Sequence, residues 1–72
     1  MVNNCAKITM AKIVENIIAQ PEEGYEGRYG TVIVVVRDTE TGRVATASVQ
    51  WNTIKSKGEA TAEATKDAMD KL

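Results

Sequence analysis

The sequence predicts one small α+β domain over residues 1–72, with elements in the order α-β-β-α and both helices on one face of an antiparallel sheet. Three observations lead to this fold class. Apolar residues recur at helical spacing before Pro21, β-branched residues fill 31–36, and a helix-capping pattern begins at Ser56. A chain of this length buries a small core, so an oligomer or a tightly bound partner would add burial.

The first helix is expected from about Asn4 to Gln20. Its buried stripe would consist of the apolar residues that recur on one helical face, namely Ala6, Met10, Ile13, Val14, Ile17 and Ile18. Pro21 ends this helix, because the residue before a proline disfavours helical backbone angles. Ile8 lies off the stripe, so it either contacts a partner or belongs to a short strand before a helix that starts near Thr9.

The stretch 21–30 contains one proline, three glycines and both tyrosines, and it predicts an irregular loop. Tyr25 and Tyr29, with Arg28 between them, could form a recognition patch of rigid aromatic rings and a planar cation. The alternative is a linker whose tyrosines cover the sheet edge or pack near Trp51. The segment from Tyr25 to Tyr29 could instead form a short third strand.

The run Thr31–Val36 and the alternating stretch Val44–Trp51 predict two antiparallel strands. Asp38 and Gly42 are typical of the tight turn between them, a loop over residues 39–42. Counting outward from this turn sets the register and gives the hairpin one apolar face. The pairs on that face are Val36 with Ala45, Val34 with Ala47, Val32 with Val49, and Gly30 with Trp51.

The opposite face of the hairpin is mixed, and Ile33, Val35 and Val44 form an apolar spot on it. Since both predicted helices lie on the other face, this spot and at least one strand edge stay uncovered. We therefore expect a protein partner or a second copy of the chain to bind there, and we include Tyr25 and Tyr29 in the interface.

The last helix is predicted to begin near Lys57 and to continue to the end of the chain. Ser56 and Glu59 form a capping box, in which each side chain accepts a bond from the other residue's backbone N–H. The buried strip would be Ala60, Thr61, Ala64, Thr65, Ala68 and Leu72, flanked by Met69. Lys55 and Lys57 flank the start of this helix, where free N–H groups favour an anion such as phosphate. Alternatively, both lysines are solvated and Glu59 already fills the cap.

Residue types disfavour most catalytic classes. The sequence has no histidine and a single cysteine, Cys5, so we expect no transition-metal site, no disulfide within the chain and no histidine-activated nucleophile. Glu22, Glu23 and Glu26 lack the alternation of a calcium loop. We expect a protein that is not an enzyme and needs neither metal nor cofactor. A lone cysteine without a signal-peptide pattern favours the cytoplasm.

The part of the chain from about 31 to 72 resembles two known families. Ser56-Lys57, opening an alanine-rich helix that ends Ala68–Leu72, resembles the C-terminal half of a double-stranded-RNA-binding domain. That resemblance implies phosphate contacts at the helix start, but Gly58 replaces the second lysine and the Gly-Pro-x-His loop of that family is missing. The Gly-x-Thr-x-Glu-Glu-Ala pattern of HicB-type antitoxins is matched loosely by Gly58, Thr61, Glu63 and Ala64.

The sequence favours a non-enzymatic protein-binding module that associates through a sheet face or edge. An accessory subunit, a homodimer or a small inhibitor of the kind that phages and mobile elements encode would all fit this description. The alternative is a nucleic-acid-binding domain using Arg28, Lys55 and Lys57, although a net charge of −1 is low for a protein that binds the nucleic-acid backbone. No membrane association is expected.

Overall fold

The computed structural model describes residues 12–72, and the elements below are those of this part of the chain. Three strands are followed by one helix: β1, Lys12–Pro21; β2, Gly30–Asp38; β3, Val44–Trp51; and α1, Lys57–Asp70. The strands form one antiparallel sheet in the order β1-β2-β3, with β2 in the centre. The domain is α+β, but the predicted order α-β-β-α is wrong, because the described order is β-β-β-α.

The predicted first helix is wrong over its described part, where residues 12–21 form β1. The remainder of that prediction, residues 4–11 with Ile8, lies outside the described residues. The sheet does have a third strand, but it is not the one considered at 25–29, since those residues lie in the turn between β1 and β2. Within residues 12–72, α1 is the one helix that packs on the sheet.

A β-bulge explains why β1 resembles a helix in sequence. Its pairing with β2 shifts between Val14 and Asn16, so that one extra residue, Glu15, interrupts the alternation of side chains. Val14 and Ile17 therefore lie on the same face of the sheet as α1, although they are three positions apart in sequence. Such a spacing is the one expected on a helix, whereas an uninterrupted strand repeats every second residue.

The β2–β3 turn and register are confirmed. Asp38 and Arg43 flank the loop, and the Asp38 N–H donates to the Arg43 carbonyl at a distance of 2.8 Å. The Asp38 carboxylate accepts bonds from the backbone N–H groups of Glu40 and Thr41 at 2.9 and 3.2 Å. Gly42 adopts a left-handed φ of +77°, which glycine takes without steric cost. The four predicted cross-strand pairs, from Val36–Ala45 to Gly30–Trp51, are all present.

The core lies between α1 and the adjacent face of β2 and β3. The buried residues are three valines of β2, four alanines of β3 and α1, and one tryptophan: Val32, Val34, Val36, Ala47, Ala60, Ala64, Ala68 and Trp51. Alanines at every fourth position of α1 let the helix lie close to the sheet, and these three alanines of the predicted strip are buried. Thr61, Thr65 and Leu72 of that strip are only partly buried, and α1 ends at Asp70 instead of continuing to the end of the chain. Thr61 and Thr65, at the margin of the strip, donate their hydroxyls to helix carbonyls four residues earlier. No helix of the described chain is both long and apolar enough to cross a membrane.

The capping box at the start of α1 is also confirmed. The Glu59 N–H donates to the Ser56 hydroxyl at 3.1 Å, and the Ser56 N–H donates to the Glu59 carboxylate at 3.3 Å. Two backbone groups that the helix leaves unpaired are thereby satisfied.

Removing either half of this capping box should weaken the protein. We expect Ser56→Ala and Glu59→Ala each to lower the free energy of unfolding by about 0.5–2 kcal/mol, because one helix-end N–H loses its partner. Thermal melts measure the effect, with Lys66→Ala on the exposed side of α1 as the control. Melts of both cap variants that overlay the parent would show that the cap is not stabilising.

Candidate functional site

The face of the sheet opposite α1, called the outer face below, carries an apolar surface drawn from all three strands. It is formed by Ile13 and Ile18 of β1, Ile33 and Val35 of β2, and Val44 of β3. Ile33 and Val35 are half-buried by their neighbours in the sheet, while Ile13, Ile18 and Val44 are about 40–50% exposed. No element among residues 12–72 packs over this face.

The apolar residues of the outer face form a continuous surface. Ile18 pairs directly with Ile33 across β1 and β2, and Val35 is the next residue of β2 on the same face. Val44 pairs with Arg37, one step further along, so it is a diagonal neighbour of Val35. The sequence located Ile33, Val35 and Val44. It does not identify Ile13 and Ile18, whose spacing predicts a helix core, although their β-branched side chains favour a strand.

An ion pair borders the outer face at the end near the β2–β3 turn. The bulge presents Glu15 to Arg37, and the Arg37 Nε and Nη2 donate to the two carboxylate oxygens at 2.5 and 3.0 Å. This hydrogen bonding lowers the pKa of the Glu15 carboxyl and raises the pKa of Arg37. Because Ile13 pairs with Arg37, charged groups stand beside the apolar surface, as in the polar rim of protein interfaces.

The two edges of the sheet differ. On β3, the Lys71 ammonium donates to the Thr46 carbonyl at 2.8 Å, so a side chain covers part of that edge. Lys residues at sheet edges are a common protection against unwanted strand pairing. The free edge of β1 has no described element beside it, and the bulge at Glu15 breaks its regularity.

The turn between β1 and β2 carries the two tyrosines and is tightly held. The Glu22 N–H donates to the Tyr29 carbonyl at 2.7 Å, and the Arg28 N–H donates to the Tyr25 carbonyl at 3.0 Å. The rings of Tyr25 and Tyr29 meet edge to face with their centroids 5.0 Å apart. Both rings are well exposed, so the turn presents an ordered aromatic pair to its surroundings.

Trp51 ties this turn to the core. Its indole Nε1–H donates to the Gly27 carbonyl at 3.0 Å, and its ring lies across Gly30, where a side chain would have no room. The Lys57 ammonium lies 5.5 Å from the centroid of the Trp51 ring. The contact that joins the loop to Trp51 is thus made by a backbone carbonyl of the loop and not by a tyrosine side chain.

A groove of about 460 Å³ opens at this end of the sheet, and we call it the tyrosine groove. It is lined by residues from the β1–β2 turn and from the end of β3, chiefly Glu22, Tyr25, Tyr29, Gln50 and Trp51. Gln50 belongs to the outer face, so the tyrosine groove continues from that face around the end of the sheet.

The three cations proposed for nucleic-acid contact occupy separate environments. Lys55 forms an ion pair with Glu63, and Lys57 lies over Trp51. Arg28 has no side-chain partner among the described residues, and it stands in the turn beside the tyrosines. The N–H groups at the start of α1 are partly engaged by Ser56. Sequence reasoning also missed Ile54, which is 90% exposed in the link between β3 and α1.

Comparison with known protein families, with curated proteins and with solved structures finds no match to this chain. Within residues 12–72, no three His, Cys, Asp or Glu side chains are grouped so that they could hold a metal ion.

Proposed function

We propose that this chain is a non-enzymatic protein-binding module that associates through the outer face of its sheet, either with a second copy or with another protein. The observation that supports the proposal most strongly is the continuous apolar surface of Ile13, Ile18, Ile33, Val35 and Val44. Burying such a surface against a partner releases water from apolar groups, which is the main favourable term in protein association.

Isolated apolar side chains are common on the surfaces of monomers and need no explanation. The outer face differs because its apolar members are adjacent on three neighbouring strands and border an ion pair. Contiguous apolar surface with a polar rim is typical of protein contact sites. A small core adds to this argument, since the domain would gain stability from further burial. An accessory subunit or a small inhibitor would use such a surface.

A nucleic-acid-binding function using Arg28, Lys55 and Lys57 has weaker support. Lys55 already forms an ion pair with Glu63, and the capping box occupies part of the start of α1. The net charge of −1 also disfavours binding to a polyanion.

A pull-down from lysate of the source cells, with and without nuclease, tests the class of partner. The bait variants are the parent, Val35→Lys on the outer face, and Ala62→Lys as the matched control. Ala62 is an exposed residue of α1, so this control adds the same charge away from the sheet. We expect the parent to capture a protein that stays bound after nuclease treatment and at raised salt. Val35→Lys should lose this protein, and Ala62→Lys should retain it.

Two results would contradict the proposal. Loss of all captured material on nuclease treatment, with a steep fall in binding as salt rises, would assign the chain to nucleic-acid binding. Equal capture by Val35→Lys and the parent would mean that the partner binds elsewhere on the protein.

A further inference from the structure

The walls of the tyrosine groove are aromatic. Tyr25 and Tyr29 are 51% and 38% exposed, and Trp51 lies behind them against the sheet. The faces of such rings carry partial negative charge and attract cations within about 6 Å of the centroid. Trp51 already receives one cation in this way, the ammonium of Lys57.

The charged residues around the tyrosine groove also favour a cation. Glu22 lines the groove, and Glu23 and Glu26 belong to the same turn, against a single cation, Arg28. The Glu22 carboxylate makes no ion pair with any residue in the described part of the chain. A carboxylate beside aromatic rings complements a guanidinium or an ammonium group and repels a phosphate.

Hydrogen bonds within the chain organise the tyrosine groove. Hydrogen bonds from Glu22 to Tyr29, from Arg28 to Tyr25 and from the Trp51 indole to Gly27 hold its walls together. Glu26 keeps a left-handed φ of +54° within this turn, a conformation uncommon for residues other than glycine. A preformed site loses less conformational entropy when a ligand enters it.

We propose that the tyrosine groove binds an arginine or lysine side chain of the protein partner, placed beside Glu22 and against the exposed tyrosine rings. This inference rests on the proposed function, because the groove continues from the outer face at Gln50. A partner seated on the outer face can therefore place a cationic side chain in the groove. The outer face would supply apolar burial and the groove would supply recognition of charge.

Fluorescence of Trp51 tests this proposal directly, since it is the only tryptophan of the chain and it lines the groove. The probes are a short acetylated oligo-arginine amide, an oligo-lysine amide of equal length, and a single-stranded oligonucleotide. The variants are Glu22→Gln and its matched control Glu23→Gln, which removes the same charge outside the groove lining. Tyr25→Ala and Tyr25→Phe separate loss of the ring from loss of the hydroxyl.

We expect the oligo-arginine to change the Trp51 emission in a saturable way. Glu22→Gln and Tyr25→Ala should each weaken this binding by about two- to fivefold, as for an exposed ion pair or a cation–π contact. Glu23→Gln should weaken the binding less than Glu22→Gln does, and Tyr25→Phe should weaken it less than Tyr25→Ala does, because the ring is kept.

Equal weakening by Glu22→Gln and Glu23→Gln would overturn the proposal, because net charge alone would then explain the binding. Absence of a saturable signal with either cationic peptide, or a response to the oligonucleotide instead, would overturn it as well. None of these outcomes depends on Val35, so the groove can fail while the pull-down with Val35→Lys still supports association through the outer face.

Discussion

Gly30→Ala should strongly destabilise the protein, because the added methyl group has no room. A Cβ at Gly30 would lie 2.2 Å from the Trp51 ring and 2.7 Å from the carbonyl oxygen of Gln20. The ring cannot retreat freely, because its indole N–H is bonded to the Gly27 carbonyl and Trp51 is part of the buried core. Overpacking of this kind costs about 1–3 kcal/mol or more, a large part of the roughly 3–5 kcal/mol expected for so small a domain.

Urea denaturation of Gly30→Ala, with Gly58→Ala as the matched control, measures this effect. A Cβ at Gly58 would have no contact closer than 4.0 Å, and Gly58 lies in the first turn of α1. Replacing an exposed helical glycine by alanine stabilises a protein by up to about 1 kcal/mol. The two identical substitutions should therefore shift the urea midpoint in opposite directions. A Gly30→Ala midpoint equal to that of the parent would mean that Trp51 does not lie across Gly30.

Ala47→Leu should be the second most damaging change. Ala47 is 6% exposed and lies beneath α1, in the row of small residues that lets the helix approach the sheet. A leucine there would push the helix away or adopt a strained rotamer, at a cost of about 1–3 kcal/mol.

Ser48→Leu is the matched control for Ala47→Leu, since the neighbouring residue of a strand points to the opposite face. Ser48 is exposed on the outer face, and its substitution should change the free energy of unfolding by no more than about 0.5 kcal/mol. Thermal melts of the two variants provide the comparison. A Ser48→Leu protein that melts below Ala47→Leu would require the two faces of the sheet to be exchanged.

The parts of the fold that were predictable from sequence are those determined by neighbouring residues. The turn after Asp38 depends on its own carboxylate and on Gly42, and the register of β3 follows from it by counting. The capping box depends only on Ser56 and Glu59. Local interactions of this kind can be inferred without knowledge of the tertiary structure.

The strand β1 could not be predicted in the same way, because its side-chain pattern depends on a partner strand. The bulge at Glu15 exists only in pairing with β2, and it shifts Ile17 and Ile18 to faces that strict alternation would not assign. The same spacing of apolar residues therefore fits either a helix or a strand that contains a bulge. The prediction of the candidate site shares this error, since both of its β1 residues, Ile13 and Ile18, fall in the predicted helix core.

Light scattering over a range of protein concentrations, on the parent and on Val35→Lys, tests the role of the outer face most directly. We expect the apparent mass of the parent to rise with concentration, and Val35→Lys to remain monomeric with a melting temperature close to that of Ala62→Lys. A parent that stays monomeric at high concentration, together with a Val35→Lys variant that is strongly destabilised, would contradict the account, because the outer face would then be covered within the chain.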